Sequence, residues 1–142
     1  MQYKEFEKDL FTVPKHFALV HCISADVKMG AGIAKIFRRH FPSMAAYIKD
    51  QSPDVGDTVM YDESNQVVFN LVTKDLYYNK PTYSTLESAL SDLREQMIES
   101  GITKIAMPAI GSGLDKLEWR KVRNIIHRMF KDDDVKIAVC FV

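Results

Sequence analysis

Two side chains in this sequence sit where chemistry could be done. Lys74 ends the apolar run FNLVTK, and Asp115 follows the loop AIGSGL. A lysine at the mouth of an apolar strand is partly desolvated, which favours the neutral amine. Such an amine is a nucleophile toward an aldehyde-level carbon, for example C1 of a sugar. A carboxylate beside a bound anion is costly unless it has a partner or a proton. That makes Asp115 a candidate proton carrier. Plainer readings stay open on residue types alone. Lys74 can mark a strand end at the surface. Asp115 can cap a helix starting near Leu117 or Glu118. Lys80, in NKPTY, is a rival for any lysine role.

Two glycine loops accompany these residues. The first, SADVKMGAGIAK, sets Gly30 and Gly32 just before a helical pattern. Glycine lets backbone approach a ligand closely, and a helix N-terminus offers unpaired N–H groups to an anion. The second, Gly111-Ser112-Gly113, can aim N–H groups in the same way. Two such loops at one end of a sheet suit a diphosphate. Neither GxGxxG nor GxxxxGK[ST] occurs, so the dinucleotide fingerprint and the P-loop are both absent. Asp9, after the strand-like QYKEF, can accept a hydrogen bond from the exocyclic amine of adenine.

Strands and helices alternate around these loops. Strands are expected at 17–23, 58–61, 67–73, 102–108 and 135–142. Helices are expected at 33–41, 44–49, 82–100 and 118–130. In the long third helix Leu86, Leu90, Leu93 and Met97 fall on one face. Its start is a capping box of Ser84 with Glu87, or Thr82 as a competing N-cap; Gly101 is its stop. In the last helix Val122, Ile125, Ile126 and Met129 are expected to face inward. The pattern implies an α/β sandwich of helices over a mostly parallel or mixed sheet. Ligands in such sheets lie beyond the carboxyl ends of strands. That rule selects the loops at 24–32, 74–81 and 109–116.

Composition narrows the class. The 142 residues suit one domain, able to bury about two thirds of the surface its unfolded chain exposes. Nineteen basic side chains balance nineteen acidic ones, so no global field draws nucleic acid. Cys22 and Cys140 lie in apolar runs and read as reduced core thiols. The histidines lack metal-ligand spacing, and no metal is expected. No run approaches the length of a membrane span, and the N-terminus carries charges throughout. The expectation is a cytoplasmic monomer without membrane contact, with the nucleus as an alternative in a eukaryote.

Taken together, KDLF, HCISADVKMGAGIA, NLVTKD, NKPTY and MPAIGSGLDKLEW resemble, in order and spacing, a macrodomain. More narrowly they resemble the terminal ADP-ribose protein glycohydrolase branch, also described as O-acetyl-ADP-ribose deacetylase. The resemblance runs from about Tyr3 to Val142. It implies a single macrodomain over 1–142, with a mixed central sheet sandwiched between helices and ADP-ribose across its top. It implies no cofactor. Asp9 and Leu10 match positions that hold adenine. Ser24, Gly30, Gly32 and Ile33 match the first ligand loop. Ala109, Ile110, Gly111, Ser112, Gly113 and Leu114 match the loop that wraps the diphosphate and distal ribose. Val142 matches a residue lining the nucleoside end. Lys74 matches the family's catalytic lysine, Asp115 its catalytic acid, and Lys80 a lysine beside them. Lys8 stands where many macrodomains have glycine, and Ser24 lies where other hydrolytic branches carry asparagine. The implied substrates are ADP-ribosylated protein or DNA, or O-acetyl-ADP-ribose. The alternatives are an ADP-ribose reader without turnover and an ADP-ribose 1″-phosphate phosphatase.

Overall fold

The computed structural model describes all residues, Met1 to Val142. Six strands form one sheet: β1 (Gln2–Glu7), β2 (Ala18–Ser24), β3 (Thr58–Glu63), β4 (Gln66–Lys74), β5 (Lys104–Met107) and β6 (Lys136–Phe141). Their spatial order is β1-β6-β5-β2-β4-β3. Only β3, joined to β4 by a tight turn, runs antiparallel. The sheet is therefore mixed. Helices α1 (Gly32–His40) and α2 (Met44–Gln51) cover one face; α3 (Tyr83–Ser100) and α4 (Trp119–Phe130) cover the other.

The alternation of β2 produces this two-faced core. Ala18 and Val20 join the cluster under α3 and α4, while Leu19 and Ile23 join the one under α1 and α2. The helical spacing of Leu86, Leu90, Leu93 and Met97 brings all four into the first cluster. In α4, Val122, Ile125 and Ile126 are buried as expected. Met129 is only partly buried, and Phe130 takes the fully buried position.

Local chemistry sets the helix ends. The Ser84–Glu87 capping box does not form. Thr82 is the N-cap, its hydroxyl accepting from Thr85 N–H at 3.0 Å while the Thr85 hydroxyl accepts from Thr82 N–H at 3.1 Å. Pro81 places the cap here by keeping the chain before it out of helix. Gly101 ends α3 with φ +71°, the left-handed turn glycine adopts without penalty. β5 is shorter than expected: Ile102 N–H is still bonded to Met97 O in the turn that ends α3, and at the other end Pro108 has no N–H to continue the ladder.

Candidate active site

The sheet's carboxyl end carries the site. Strands β2 and β4 pair in parallel with Ile23 opposite Val72, and then the register slips so that Ser24 faces Lys74. Bulges of this kind re-aim side chains next to active sites. Beyond the slip the chain opens a cleft of about 920 Å³. Its walls are the loops after β2, β4 and β5, the three that strand topology selects.

Lys74 Nζ lies 2.7 Å from Asp115 Oδ1, and the two side chains are only 15% and 16% exposed. The pair joins positions 41 residues apart. Asp115 is therefore not a helix cap. Glu118 stands at the N-cap of α4 and makes no side-chain cap bond. Lys80 makes a different contact: its Nζ donates to Leu114 O at 2.6 Å and ties the loop after β4 to the loop after β5. Cys22 also lines the cleft. Burial, reinforced by the nearby Asp115 charge, pushes its thiol up to about 12. Cys22 is therefore a neutral thiol at pH 7 and no competing nucleophile.

The two glycine loops present free amides. In the first, the N–H groups of Met29, Gly30 and Ala31 donate to nothing in the protein. Ala31 is the N-cap of α1 and has no side chain that could close the helix end. In the second, Ser112 N–H and its hydroxyl both reach Ala109 O, while the N–H groups of Gly113, Leu114 and Asp115 have no protein acceptor. Open amides at a helix N-terminus and on a turn suit an anion.

The loops touch at Gly32, whose φ is +57°. A Cβ there would stand 3.1 Å from Leu114 Cδ1. Gly32→Val should therefore destabilise the fold by at least about 1–2 kcal/mol, the cost of left-handed backbone for an L-residue before the clash is counted. Urea unfolding beside the wild type checks it.

Of the residues named from sequence, Ser24, Gly30, Gly32, Ile33, Lys74, Ala109, Ile110, Gly111, Gly113, Leu114 and Asp115 line one cleft. Ser112 braces the loop from behind. Asp9, Leu10 and Val142 are not on the cleft wall. Asp9 Oδ1 accepts from Phe11 N–H and caps a short 3-10 turn, Leu10–Thr12. Leu10 is 2% exposed and Val142 is fully exposed. The Lys8 N–H bond to Phe141 O keeps Asp9 and Val142 at the same end of the sheet.

One residue escaped sequence reading. Asp26 accepts from Ser24 Oγ (2.5 Å), Tyr77 N–H (2.9 Å) and Lys28 N–H (3.3 Å). Burial acts to raise its pKa, but these hydrogen bonds outweigh it and hold the carboxyl below its usual range. The Asp26 N–H adds a bond to Asp75 O, and Ala25 N–H one to Lys74 O. The first loop is thereby tied to the residues around Lys74. It needs the tie, because Val27 and Met29 hold φ of 56° and 48°, a left-handed geometry costly for any L-residue and most of all for the β-branched Val27. Burial of both side chains helps to offset that cost. A carboxylate beginning a glycine-bearing loop was the only signal available for Asp26.

Residues 20–126 match the Macro domain family. The chain belongs to the macrodomain family. Among curated relatives of this macrodomain is the ADP-ribose glycohydrolase OARD1 of Homo sapiens, 37% identical over 131 residues, which are 92% of this chain and 86% of that protein. Another is the DNA ADP-ribosyl glycohydrolase of Thermus aquaticus, 30% identical over 77% of this chain and 32% of that protein. The solved macrodomain of Thermus aquaticus DarG superposes with a TM-score of 0.90 over 99% of both chains, at 24% identity. The fold is that of a macrodomain, and no helix of it is long and apolar enough to cross a membrane.

Proposed function

We propose that this macrodomain is an ADP-ribosyl hydrolase. It binds ADP-ribose across the cleft and cleaves the bond from the distal ribose to its acceptor. Candidate substrates are ADP-ribosyl-glutamate, O-acetyl-ADP-ribose and DNA-linked ADP-ribose. The observation that carries the reading is the partly buried Lys74–Asp115 pair on the same cleft as the two amide-bearing loops. A hydrolase of the ADP-ribose glycohydrolase type also agrees with the 37% identity to OARD1 over nearly the whole chain.

The chemistry follows from the pair. Asp115 takes a proton from Lys74, freeing the amine's lone pair. For an acceptor carried on C1″, the amine attacks C1″, an N–C1″ bond forms, and the bond from C1″ to the acceptor breaks with its electron pair leaving on the acceptor atom, an oxygen for a carboxylate and a ring nitrogen for a thymine. Asp115 gives its proton to the ring oxygen and takes one from the now positively charged nitrogen; the lone pair so freed forms a C=N bond as the bond from C1″ to the ring oxygen breaks and the ring opens. Water adds to this Schiff base, the carbinolamine collapses to release Lys74, and the ribose recloses as free ADP-ribose. Arginine cannot replace Lys74, because a guanidinium stays protonated. In this reading Asp9, Leu10 and Val142 hold the adenosine end and the free amides hold the diphosphate.

A pure ADP-ribose reader would use the amides and leave the ion pair without a task. The test is a time course of ADP-ribose release from a glutamate-ADP-ribosylated protein, beside phosphate release from ADP-ribose 1″-phosphate. Release of ADP-ribose supports the proposal. Phosphate release as the dominant activity, or tight ADP-ribose binding with no product from any substrate, overturns it.

A further inference from the structure

The residues after Lys74 form a feature that ADP-ribose binding does not explain. Tyr77 lines the cleft beside Lys74 and Asp115. Tyr78 lies next to it, the ring centroids 5.3 Å apart and nearly perpendicular. Tyr77 is 59% exposed and Tyr78 66%. Their loop is well held. Tyr77 N–H donates to Asp26 Oδ2, Leu76 N–H to Asn79 Oδ1, Asn79 N–H to Leu76 O, and Lys80 straps the loop to Leu114. A pinned backbone carrying bare aromatic rings costs little conformational entropy when a flat ligand stacks on the face of one ring and meets the edge of the other.

The surrounding charge points to the kind of ligand. The cleft wall carries Lys28, Lys74, Lys80 and Lys116 against the single carboxylate Asp115. This holds although the whole chain is neutral. Exposed aromatic rings interleaved with cations are the arrangement that binds single-stranded nucleic acid, by stacking bases and neutralising phosphates.

From this we propose that Tyr77 and Tyr78 form an acceptor subsite that stacks a nucleobase of an ADP-ribosylated single strand. The subsite rests on the hydrolase reading above and selects, among its acceptors, the nucleic-acid one. The lysines beside it take the flanking phosphodiesters. A peptide acceptor offers no comparable planar group and gains little here.

Binding separates this inference from catalysis. The Lys74→Ala protein, which cannot turn over its ligand, is titrated with three probes: ADP-ribose, a short single-stranded oligonucleotide ADP-ribosylated on thymine, and an ADP-ribosylated glutamate peptide. The expected result is oligonucleotide affinity about tenfold above that for ADP-ribose, the peptide gaining less than about twofold. Adding Tyr77→Ala or Tyr78→Ala should remove the oligonucleotide advantage, and Tyr77→Phe should keep it. An oligonucleotide bound no better than ADP-ribose overturns the subsite. So does an equal gain for the peptide, or an advantage that survives both alanine substitutions. An oligonucleotide preference in a wild-type protein that cleaves neither conjugate would sink the hydrolase reading and leave the subsite standing.

Discussion

Replacing Lys74 by arginine should stop ADP-ribose release as completely as replacing it by alanine. Both variants are expected to fall by at least about a thousandfold. Arginine preserves the charge facing Asp115, so it keeps the ion pair and loses only the nucleophile. A role confined to electrostatics would survive this change; a role as attacking amine would not. Asp115→Asn should cost about 10²- to 10⁴-fold, the usual worth of one general acid–base group. The Lys74→Ala, Asp115→Asn double variant should be no slower than the slower single one, because the two act as a unit. Initial rates on an ester-linked substrate check all of these. Substantial activity in Lys74→Arg would contradict the mechanism.

Acidification should destabilise the fold well above the range where carboxylates titrate. His21, on β2, is wholly buried and stacks on Phe37 of α1 at 3.7 Å between ring centroids. Its Nε2 lies 2.6 Å from Asn70 Oδ1, and Asn70 Nδ2 donates to Val59 O at 3.1 Å. That orientation of the amide makes His21 Nε2–H the donor, and leaves the buried Nδ1 bare and without a partner. Burial pushes the His21 pKa down to about 4, with the Asn70 contact acting in the opposite sense. In the unfolded chain the imidazole titrates near 6.5. Between these values the unfolded state binds the extra proton, so stability is full above pH 6.5 and is lost as pH falls toward 4. The loss amounts to about 3 kcal/mol. The depressed carboxylates, Asp26 among them, have the same sign but act below about pH 4. Urea midpoints measured from pH 7.5 to 4.5 should therefore fall for the wild type and stay much flatter in His21→Gln. Parallel curves for the two proteins would show that another group carries the dependence.

The fold was largely legible because its signals are local. The spacing from Leu86 to Met97 shows one buried face of α3, and the apolar runs of β2, β4 and β6 sit within a residue or two of their expected ends. The errors are local too. Ser84–Glu87 and Thr82–Thr85 both satisfy a capping spacing, and Pro81 decides for the earlier one. The site was legible in its residue types and not in its pairings. Asp115 has the credentials of an N-cap until the chain brings Lys74 back from 41 residues away. Asp26 meets Tyr77 across 51 residues, and His21 meets Asn70 across 49. No spacing rule reaches that far, so the Asp26 tie and the buried histidine emerge only in three dimensions. Lys80 shows the same limit. Sequence offers it as a rival nucleophile, and its bond to Leu114 O is visible only in the fold.

The most direct test of the mechanism is to trap the bond between Lys74 and the ribose. Wild-type protein is mixed with an ester-linked ADP-ribosyl substrate and sodium cyanoborohydride, whose hydride reduces a C=N bond to a stable secondary amine. Peptide mass spectrometry then locates the adduct. The expected product of this mechanism is ADP-ribose attached through C1″ to Lys74 Nζ, with loss of turnover in step with trapping and no adduct in Lys74→Arg. Undiminished turnover with no adduct, or an adduct on Lys80, would contradict it.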